Sequence, residues 1–279
     1  MQKSLKQTFI EKLSELKASP KRSLGQNFLI DEQIIQKIIS AAEQFQINNI
    51  IEVGPGLGAL TEHLLPLADR FKVIELDNEF IKSWENEGLD VVAGDALKIN
   101  WSDIIDNDKW LLVSNLPYQI SSSLVIERSL GPDQICGCVL MFQKEVAERI
   151  TAEHGNKQYG LLSVMAQSFW QVHRLTDVGH NSFFPPPKVT SRVLVFRKKR
   201  APVGLKDRTD RESFLQFLKQ SFGQRRKMLA KNLTPFLSKY GKSREAFENH
   251  LQSMGLEVTL RAEQVSVENF HQLYNWIVE

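Results

Sequence analysis

Asn115, Leu116, Pro117 and Tyr118 follow the apolar run WLLVS and form the segment of this chain best suited to act on a poor nucleophile. The run reads as a strand, and open α/β sheets place ligands beyond the carboxyl ends of their strands. An aryl amine such as the exocyclic nitrogen N6 of adenine has its lone pair delocalised into the ring. Two acceptors on its hydrogens favour the pyramidal geometry that frees that pair, and they stabilise the positive charge that develops as it attacks. The side-chain oxygen of Asn115 and the backbone carbonyl of Leu116 are two such acceptors. Pro117 fixes the turn. Tyr118 offers a face on which a target base can stack. An ordinary proline turn is the competing reading. The position at a strand end, where a cofactor's reactive centre belongs, favours the chemical one.

A second cluster suits a cofactor. Gly54-Pro55-Gly56-Leu57-Gly58 follows the apolar run 50–53 and precedes a helical pattern over 59–67. Glycine lets the backbone approach a ligand closely, and a helix N-terminus offers free N–H donors. Glu75 closes the next strand, 21 residues after Gly54. A carboxylate there can accept both ribose hydroxyls of an adenosyl group. These features alone suit both NAD and S-adenosylmethionine. The G-x-G-x-G spacing departs from the dinucleotide fingerprint G-x-G-x-x-G and tilts the choice toward S-adenosylmethionine. Asp95, in AGDAL after the third strand, either accepts from the adenine amine of that cofactor or caps a helix; its register with Glu75 favours the site.

The elements that must hold these residues alternate. A helix over 31–46, with Asp31 as N-cap, shows apolar spacing at Ile34, Ile35, Ile38, Ile39 and Ala42. Strand and helix patterns then follow one another through FKVIELD, NEFIKSWENE, LDVVAGD, a short helical segment near 102–107, WLLVSNLPY, SSSLVIERSL, QICGCVLMFQ and KEVAERITAE. Continuous apolar strands between amphipathic helices indicate a parallel sheet covered on both faces. After a helix over 161–169, WQVHRLTDV and KVTSRVLVF read as an antiparallel pair interrupted by the prolines at 185–187. The fold class is therefore α/β, with about seven strands, five of them parallel. From about residue 200 the chain reads as helices only, at 210–221, 225–231, 243–253 and 266–277. Two domains are expected, 1–200 and a small all-helical 201–279.

Composition narrows the function. The chain of 279 residues is 42% hydrophobic and 24% charged, as ordinary soluble domains are. It has no run of 18 apolar residues and no signal-peptide pattern at its start, and Glu11 and Glu15 argue against a transit peptide. A cytoplasmic protein is expected. Cys136 and Cys138 share one strand face, and the reading is two small core residues; a zinc site needs about four ligands, and no Cys/His cluster lies nearby. No metal is expected. The net charge of +2 hides an asymmetry: residues 1–189 carry 18 basic and 24 acidic side chains, whereas 190–279 carry 17 and 9. The densest stretch, 192–231, has 13 basic and 3 acidic residues. A polyanionic partner and a solvated helical face both account for it. Arg225 and Arg226 are its leading candidates for phosphate contacts.

The motifs together bring a family into view. LGQNFLID at 24–31, EVGPGLGALT, Glu75, GDAL, NLPY, FFPPPKVTS, FGQRRKMLAKNL and RAEQVSVENF occur in that order over about 21–270. In this the chain resembles the ribosomal RNA adenine N6-dimethyltransferases of the KsgA type. The resemblance implies a Rossmann-like S-adenosylmethionine-dependent methyltransferase sheet with a helical RNA-binding domain behind it. It implies methylation of two adjacent adenosines in the 3′-terminal hairpin of small-subunit ribosomal RNA, and a role in small-subunit biogenesis. It places Asn27, Leu29, Gly54 and Gly56 at the methionine end of the cofactor, Glu75 at its ribose and Asp95 at its adenine. Asn115 lies beside the cofactor and, with Leu116, Pro117 and Tyr118, holds the target base. Phe183 corresponds to an aromatic that stacks on the opposite side of the base, with Phe184 and plain core packing as competitors.

Two rival functions stay open at this point: a methyltransferase of large-subunit RNA, of the antibiotic-resistance type, and an assembly factor that acts mainly by binding. RAEQVSVENF favours the small subunit through the resemblance alone, and the intact NLPY argues for chemistry. Ribosomal RNA in the small subunit or its precursor is the expected partner, and a monomer the expected state.

Overall fold

The computed structural model describes residues 3–279. Nine strands run through the described residues: β1 (Phe28–Leu29), β2 (Asn49–Val53), β3 (Arg70–Glu75), β4 (Asp90–Ala93), β5 (Trp110–Asn115), β6 (Ile135–Gln143), β7 (Trp170–Val178), β8 (Phe183–Phe184) and β9 (Ser191–Lys198). Twelve α-helices accompany them there. Those before β7 are α1 (Leu5–Glu15), α2 (Glu32–Glu43), α3 (Thr61–Leu64), α4 (Asn78–Asn86), α5 (Trp101–Ile104), α6 (Tyr118–Leu130), α7 (Lys144–Ile150) and α8 (Leu161–Phe169). After β9 come α9 (Arg208–Ser221), α10 (Leu229–Lys239), α11 (Arg244–Ser253) and α12 (Val267–Val278).

Seven strands form one sheet in the order β4-β3-β2-β5-β6-β9-β7. The first five pair in parallel, and β9 returns antiparallel to β6, with Gly137 opposite Arg197 and Gln143 opposite Ser191. The last strand in sequence thus inserts beside β6 and leaves β7 at the edge. Apolar positions such as Ile50, Leu111, Val113, Val139 and Val193 form one cluster with Ile34, Ile35, Ile38 and Ile39 of α2. The Asp31 carboxylate caps that helix by accepting the N–H groups of Gln33 and Ile34 at 3.1 and 3.3 Å.

The chain divides into two compact units, one of residues 1–147 and 171–198, the other of 148–170 and 199–279. The first holds the sheet. In the second, α8 buries Leu162, Val164, Met165 and Phe169, and an aromatic core joins Phe214, Phe217, Phe236, Phe270 and Tyr274, with Phe217–Phe236 centroids 5.5 Å apart.

Local differences from the sequence reading have identifiable causes. The helix expected over 59–67 is only α3, continued by a 3-10 turn at Leu65–Leu67; Pro66 has no N–H to carry the α-ladder on. The helix expected over 225–231 starts instead at Leu229 and runs through Pro235 to Lys239. Its apolar spacing, with Leu229, Leu233, Phe236 and Leu237 buried, outweighs the lost hydrogen bond at Pro235. Two further features have no counterpart in the sequence reading. Helix α1 buries Phe9 and Leu13. Strands β1 and β8 pair antiparallel, with Phe28 opposite Phe184 and Leu29 opposite Phe183; at two residues each they are too short for a pattern.

Candidate functional site

A cavity of about 360 Å3 opens in the sheet unit at the carboxyl ends of β2, β3, β4 and β5. Its lining takes residues from four turns and one loop: Gly54 to Leu57 after β2, Glu75 and Leu76 after β3, Gly94 to Ala96 after β4, Asn115 to Ile120 after β5, and the 23–29 segment in front. That volume lies within the range of small-molecule sites. Of the residues expected at the site, Asn27, Leu29, Gly54, Gly56, Glu75, Asp95, Asn115, Leu116, Pro117 and Tyr118 lie in this lining, and Phe183 does not.

The glycine turn is shaped by what lies behind it. Gly56 has φ +54° and Gly58 φ +95°. A Cβ on Gly56 would stand 2.9 Å from the Phe28 ring, and one on Gly58 would stand 2.8 Å from Trp84. Both positions need left-handed backbone and bare Cα atoms.

Glu75 is 7% exposed. Its Oε1 accepts the N–H groups of Leu76 at 2.7 Å and Asp77 at 2.8 Å. Those bonds fix the carboxylate and leave Oε2 as the acceptor for a ligand's hydroxyls. Burial raises the Glu75 pKa, and backbone N–H groups of Asp77, Leu76 and Gly56 oppose the rise. Asp95 caps no helix: the residues after it form a turn, and the next helix, α5, is capped by Asn100. Its Oδ1 accepts the Leu97 N–H at 2.9 Å, and the residue lines the cavity.

Asn115 is fixed in the same way. Its side-chain amide donates to the Asn27 carbonyl at 3.0 Å. With Nδ2 so engaged, Oδ1 is the group left to accept from a ligand. The Asn27 side chain donates to the Gly25 carbonyl at 3.0 Å and stiffens the segment it sits in. The Tyr118 hydroxyl lies 2.6 Å from the Ser191 hydroxyl, which anchors the ring's far end from β9. Burial raises the Tyr118 pKa, against that hydrogen bond, so the phenol stays neutral at physiological pH.

Phe183 is 3% exposed and belongs to the core cluster of Leu29 and Val193. It lies opposite Leu29 in the pairing of β8 with β1. Phe184 is only partly buried, beside Phe28 and Phe80.

Four contributors are absent from the sequence reading. Lys21 Nζ lies 2.7 Å from Asp77 Oδ1 and 3.0 Å from Glu79, and Gln26 donates to Asp77 Oδ2 at 2.8 Å. These bonds clasp the front segment to the loop after β3. Burial pushes the Asp77 carboxyl up, but the hydrogen bonds from Lys21, Gln26 and the Glu79 N–H hold it below its usual value. The fourth is Glu52 on β2, 2% exposed, which accepts from the Thr61 hydroxyl at 2.8 Å. Burial pushes its pKa up to about 8 despite that bond, and the charge of Glu75 adds to the rise. Its sequence signal is a lone acid in the run IIEV. By contrast, Asp77 gives none, since its role depends on a segment over 50 residues away.

Known proteins resemble this chain over most of its length. The family model for ribosomal RNA adenine dimethylase matches residues 17–279. "Ribosomal RNA small subunit methyltransferase A" of Bdellovibrio bacteriovorus is 45% identical over 91% of each chain. The protein of that name from Syntrophotalea carbinolica is 38% identical over 91% of this chain and 95% of its own. Among solved structures, a dimethyladenosine transferase from Plasmodium falciparum superposes with a TM-score of 0.71 at 26% identity, over 88% of this chain and 95% of that one. A 23S rRNA methyltransferase, ErmE, shares the fold with a TM-score of 0.66 at 24% identity, over 91% of this chain and 100% of that one. With a family model spanning all but the first 16 residues, this chain belongs to the ribosomal RNA adenine dimethylase family.

Proposed function

We propose that this protein methylates N6 of two adjacent adenosines in the 3′-terminal hairpin of small-subunit ribosomal RNA, to give N6,N6-dimethyladenosine. The observation that carries the reading is the fixed orientation of the Asn115 amide, Nδ2 on the Asn27 carbonyl and Oδ1 left to accept, at the edge of a cofactor-sized cavity. The cofactor is S-adenosylmethionine, which supplies an electrophilic methyl group on a sulfonium. The residues present fit it. Glu75 Oε2 offers an acceptor for ribose, Asp95 one for an amine, and the Gly54–Leu57 turn, which lines the cavity, room for the methionine end.

The chain's own groups then prepare the amine. Asn115 Oδ1 and the Leu116 carbonyl accept the two N6 hydrogens, which orients the nitrogen and stabilises the charge it acquires. Tyr118 presents its ring to the base, held by Ser191. Stacking an extruded base on an aromatic ring offsets part of the cost of unstacking it. Phe184, the more exposed of the two phenylalanines before the prolines, competes with Phe183 for the base's other face.

The helical unit, with the 201–279 segment at its centre, is the RNA-binding part in this reading, and the excess of basic side chains beyond residue 190 supports it. The protein works as a cytoplasmic monomer on small subunits or their precursors; among the described residues, no helix is long and apolar enough to cross a membrane. The test is incubation with labelled cofactor and separated ribosomal subunits, followed by digestion of the RNA to nucleosides. Labelled N6,N6-dimethyladenosine from small subunits is the expected result. Label confined to large-subunit RNA, or none in either, would overturn the reading.

A further inference from the structure

Asp177 on β7 collects three cations from three elements. Arg192 of β9 donates to it through Nε at 2.6 Å and through Nη2 at 3.1 Å. Arg174 Nη2 lies 3.2 Å and Lys144 Nζ 3.6 Å from the same carboxylate. The hydrogen bond from Arg192 is the main reason the Asp177 carboxyl stays below its usual pKa.

One carboxylate neutralises one guanidinium. Arg192, with its side chain 12% exposed, is the partner seated in the fold. Lys144 and Arg174, at 43% and 57% exposure, add two positive charges beyond that balance. As a stabilising device this is poor, because exposed ion pairs contribute little and the cations repel one another. As a site for phosphates it is well made, since Asp177 preorganises two cations that a polyanion can then contact.

The location points to the same ligand. Ser191, whose hydroxyl holds Tyr118, immediately precedes Arg192 on β9. Successive strand residues leave on opposite faces, so Ser191 turns to Tyr118 and Arg192 to Asp177. Lys144 follows directly on Gln143, the partner of Ser191 in the sheet, and its N–H donates to the Thr190 carbonyl at 2.9 Å. The cluster therefore lies at the same end of the sheet as the NLPY turn. We propose that Lys144 and Arg174, held by Asp177, grip backbone phosphates of the RNA strand beside the adenosine delivered to Asn115 and Tyr118. This rests on the proposed function, and it adds a phosphate contact within the sheet unit.

The test is the double variant Lys144→Gln/Arg174→Gln, with binding to small ribosomal subunits measured by filter retention over a salt series. With two phosphates no longer neutralised, the log–log salt slope should fall by about 1.4–1.8, at roughly 0.7–0.9 each, while S-adenosylmethionine affinity and melting temperature stay parental. A parental slope overturns the proposal, as does a lowered melting temperature with the slope unchanged. The charge-matched control Lys37→Gln/Lys82→Gln, at exposed positions of α2 and α4, should keep the parental slope; an equal fall there would make the effect one of net charge and overturn the proposal too. If the parent leaves small-subunit RNA unmethylated, the proposed function fails first. If the parent methylates it and the double variant keeps its slope, only the phosphate grip fails.

Discussion

The side chain of Asn115 and the main chain of Asn27 are joined by a 3.0 Å hydrogen bond across 88 residues of sequence. It ties the end of β5 to the segment in front of the cavity and decides which face of the amide a ligand meets. Asn115→Ala removes both the tie and the acceptor. Loss of one preorganised polar group at a reacting centre commonly costs about 10²–10³ in rate. Single-turnover methylation of small subunits at saturating cofactor should show that loss, while subunit binding, dominated by phosphate contacts, persists. A parental rate would remove Asn115 from the chemistry.

Tyr118 and Ser191 give a second, separable test. Tyr118→Phe keeps the ring and leaves the fully buried Ser191 hydroxyl without this partner. It should cost about 1 kcal/mol of stability and little in the methyl-transfer rate. Tyr118→Ala removes the ring and should reduce the rate far more. If the two variants are equally slow, the hydroxyl matters and stacking is not the explanation.

The sheet and its strand-end turns are legible in the sequence because each carries local punctuation: an apolar run, a glycine or proline, then a polar residue. Gly54, Glu75, Asp95 and Asn115 can be found that way. The illegible part depends on partners far apart in sequence. Phe9 of α1 is fully buried against Phe28, yet the sequence reading gives the start of the chain no element and no core residue. Lys21 and Asp77 meet across 56 residues. Phe183 looks the same in sequence whether it stacks on a base or pairs β8 with β1. Glu52 is visible in IIEV, but an acid inside a strand pattern carries no local sign of its burial or of its Thr61 partner.

Within the basic stretch 192–231, Arg225 has an internal role. Its Nε donates to Glu263 at 3.0 Å, and its Nη2 donates to the Lys157 carbonyl at 2.5 Å. It ties the turn after α9 to other parts of the helical unit, so Arg225→Ala should lower thermal stability. Arg226 and Lys227 beside it are exposed and are the better candidates for phosphates. Arg226→Ala/Lys227→Ala should lower the salt slope for subunit binding by roughly 0.7–0.9 for each phosphate no longer neutralised. An unchanged slope in that variant would assign these side chains to solvent.

Removal of ribose recognition should show in cofactor binding alone. Glu75→Gln keeps an acceptor for the Leu76 and Asp77 N–H groups and removes the charge. Hydrogen bonds to a charged acceptor contribute about 1.5–3 kcal/mol, or roughly tenfold to a hundredfold in affinity. Calorimetric titration with S-adenosylmethionine reads this directly, and parental affinity would place the ribose elsewhere.

Glu52 predicts how the stability of the cofactor-free protein depends on pH. Its carboxyl has an ordinary pKa of 4.5 when the chain is unfolded, and burial raises it to about 8 in the fold. Below pH 4.5 both states hold the proton and the group is neutral to folding. Between pH 4.5 and about 8 the unfolded chain releases the proton while the folded chain keeps it. The unfolded state then binds fewer protons, so stability falls as pH rises, and the full penalty, on the order of a few kcal/mol, is reached above about 8. Glu75, also raised by burial, shifts stability in the same direction. His271 acts oppositely: burial lowers its pKa to about 4, so stability is eroded as pH falls from 6.5 toward 4. A single melting curve mixes all three, and the difference between variant and parent isolates one. Glu52→Gln cannot ionise and keeps an acceptor for the Thr61 hydroxyl. It should melt close to the parent at pH 4.5 and several degrees above it at about pH 8.5, with the gap opening steadily between. Parallel melting profiles across that range would mean that Glu52 titrates in the fold as it does in the open chain, and that its burial carries no ionisation penalty.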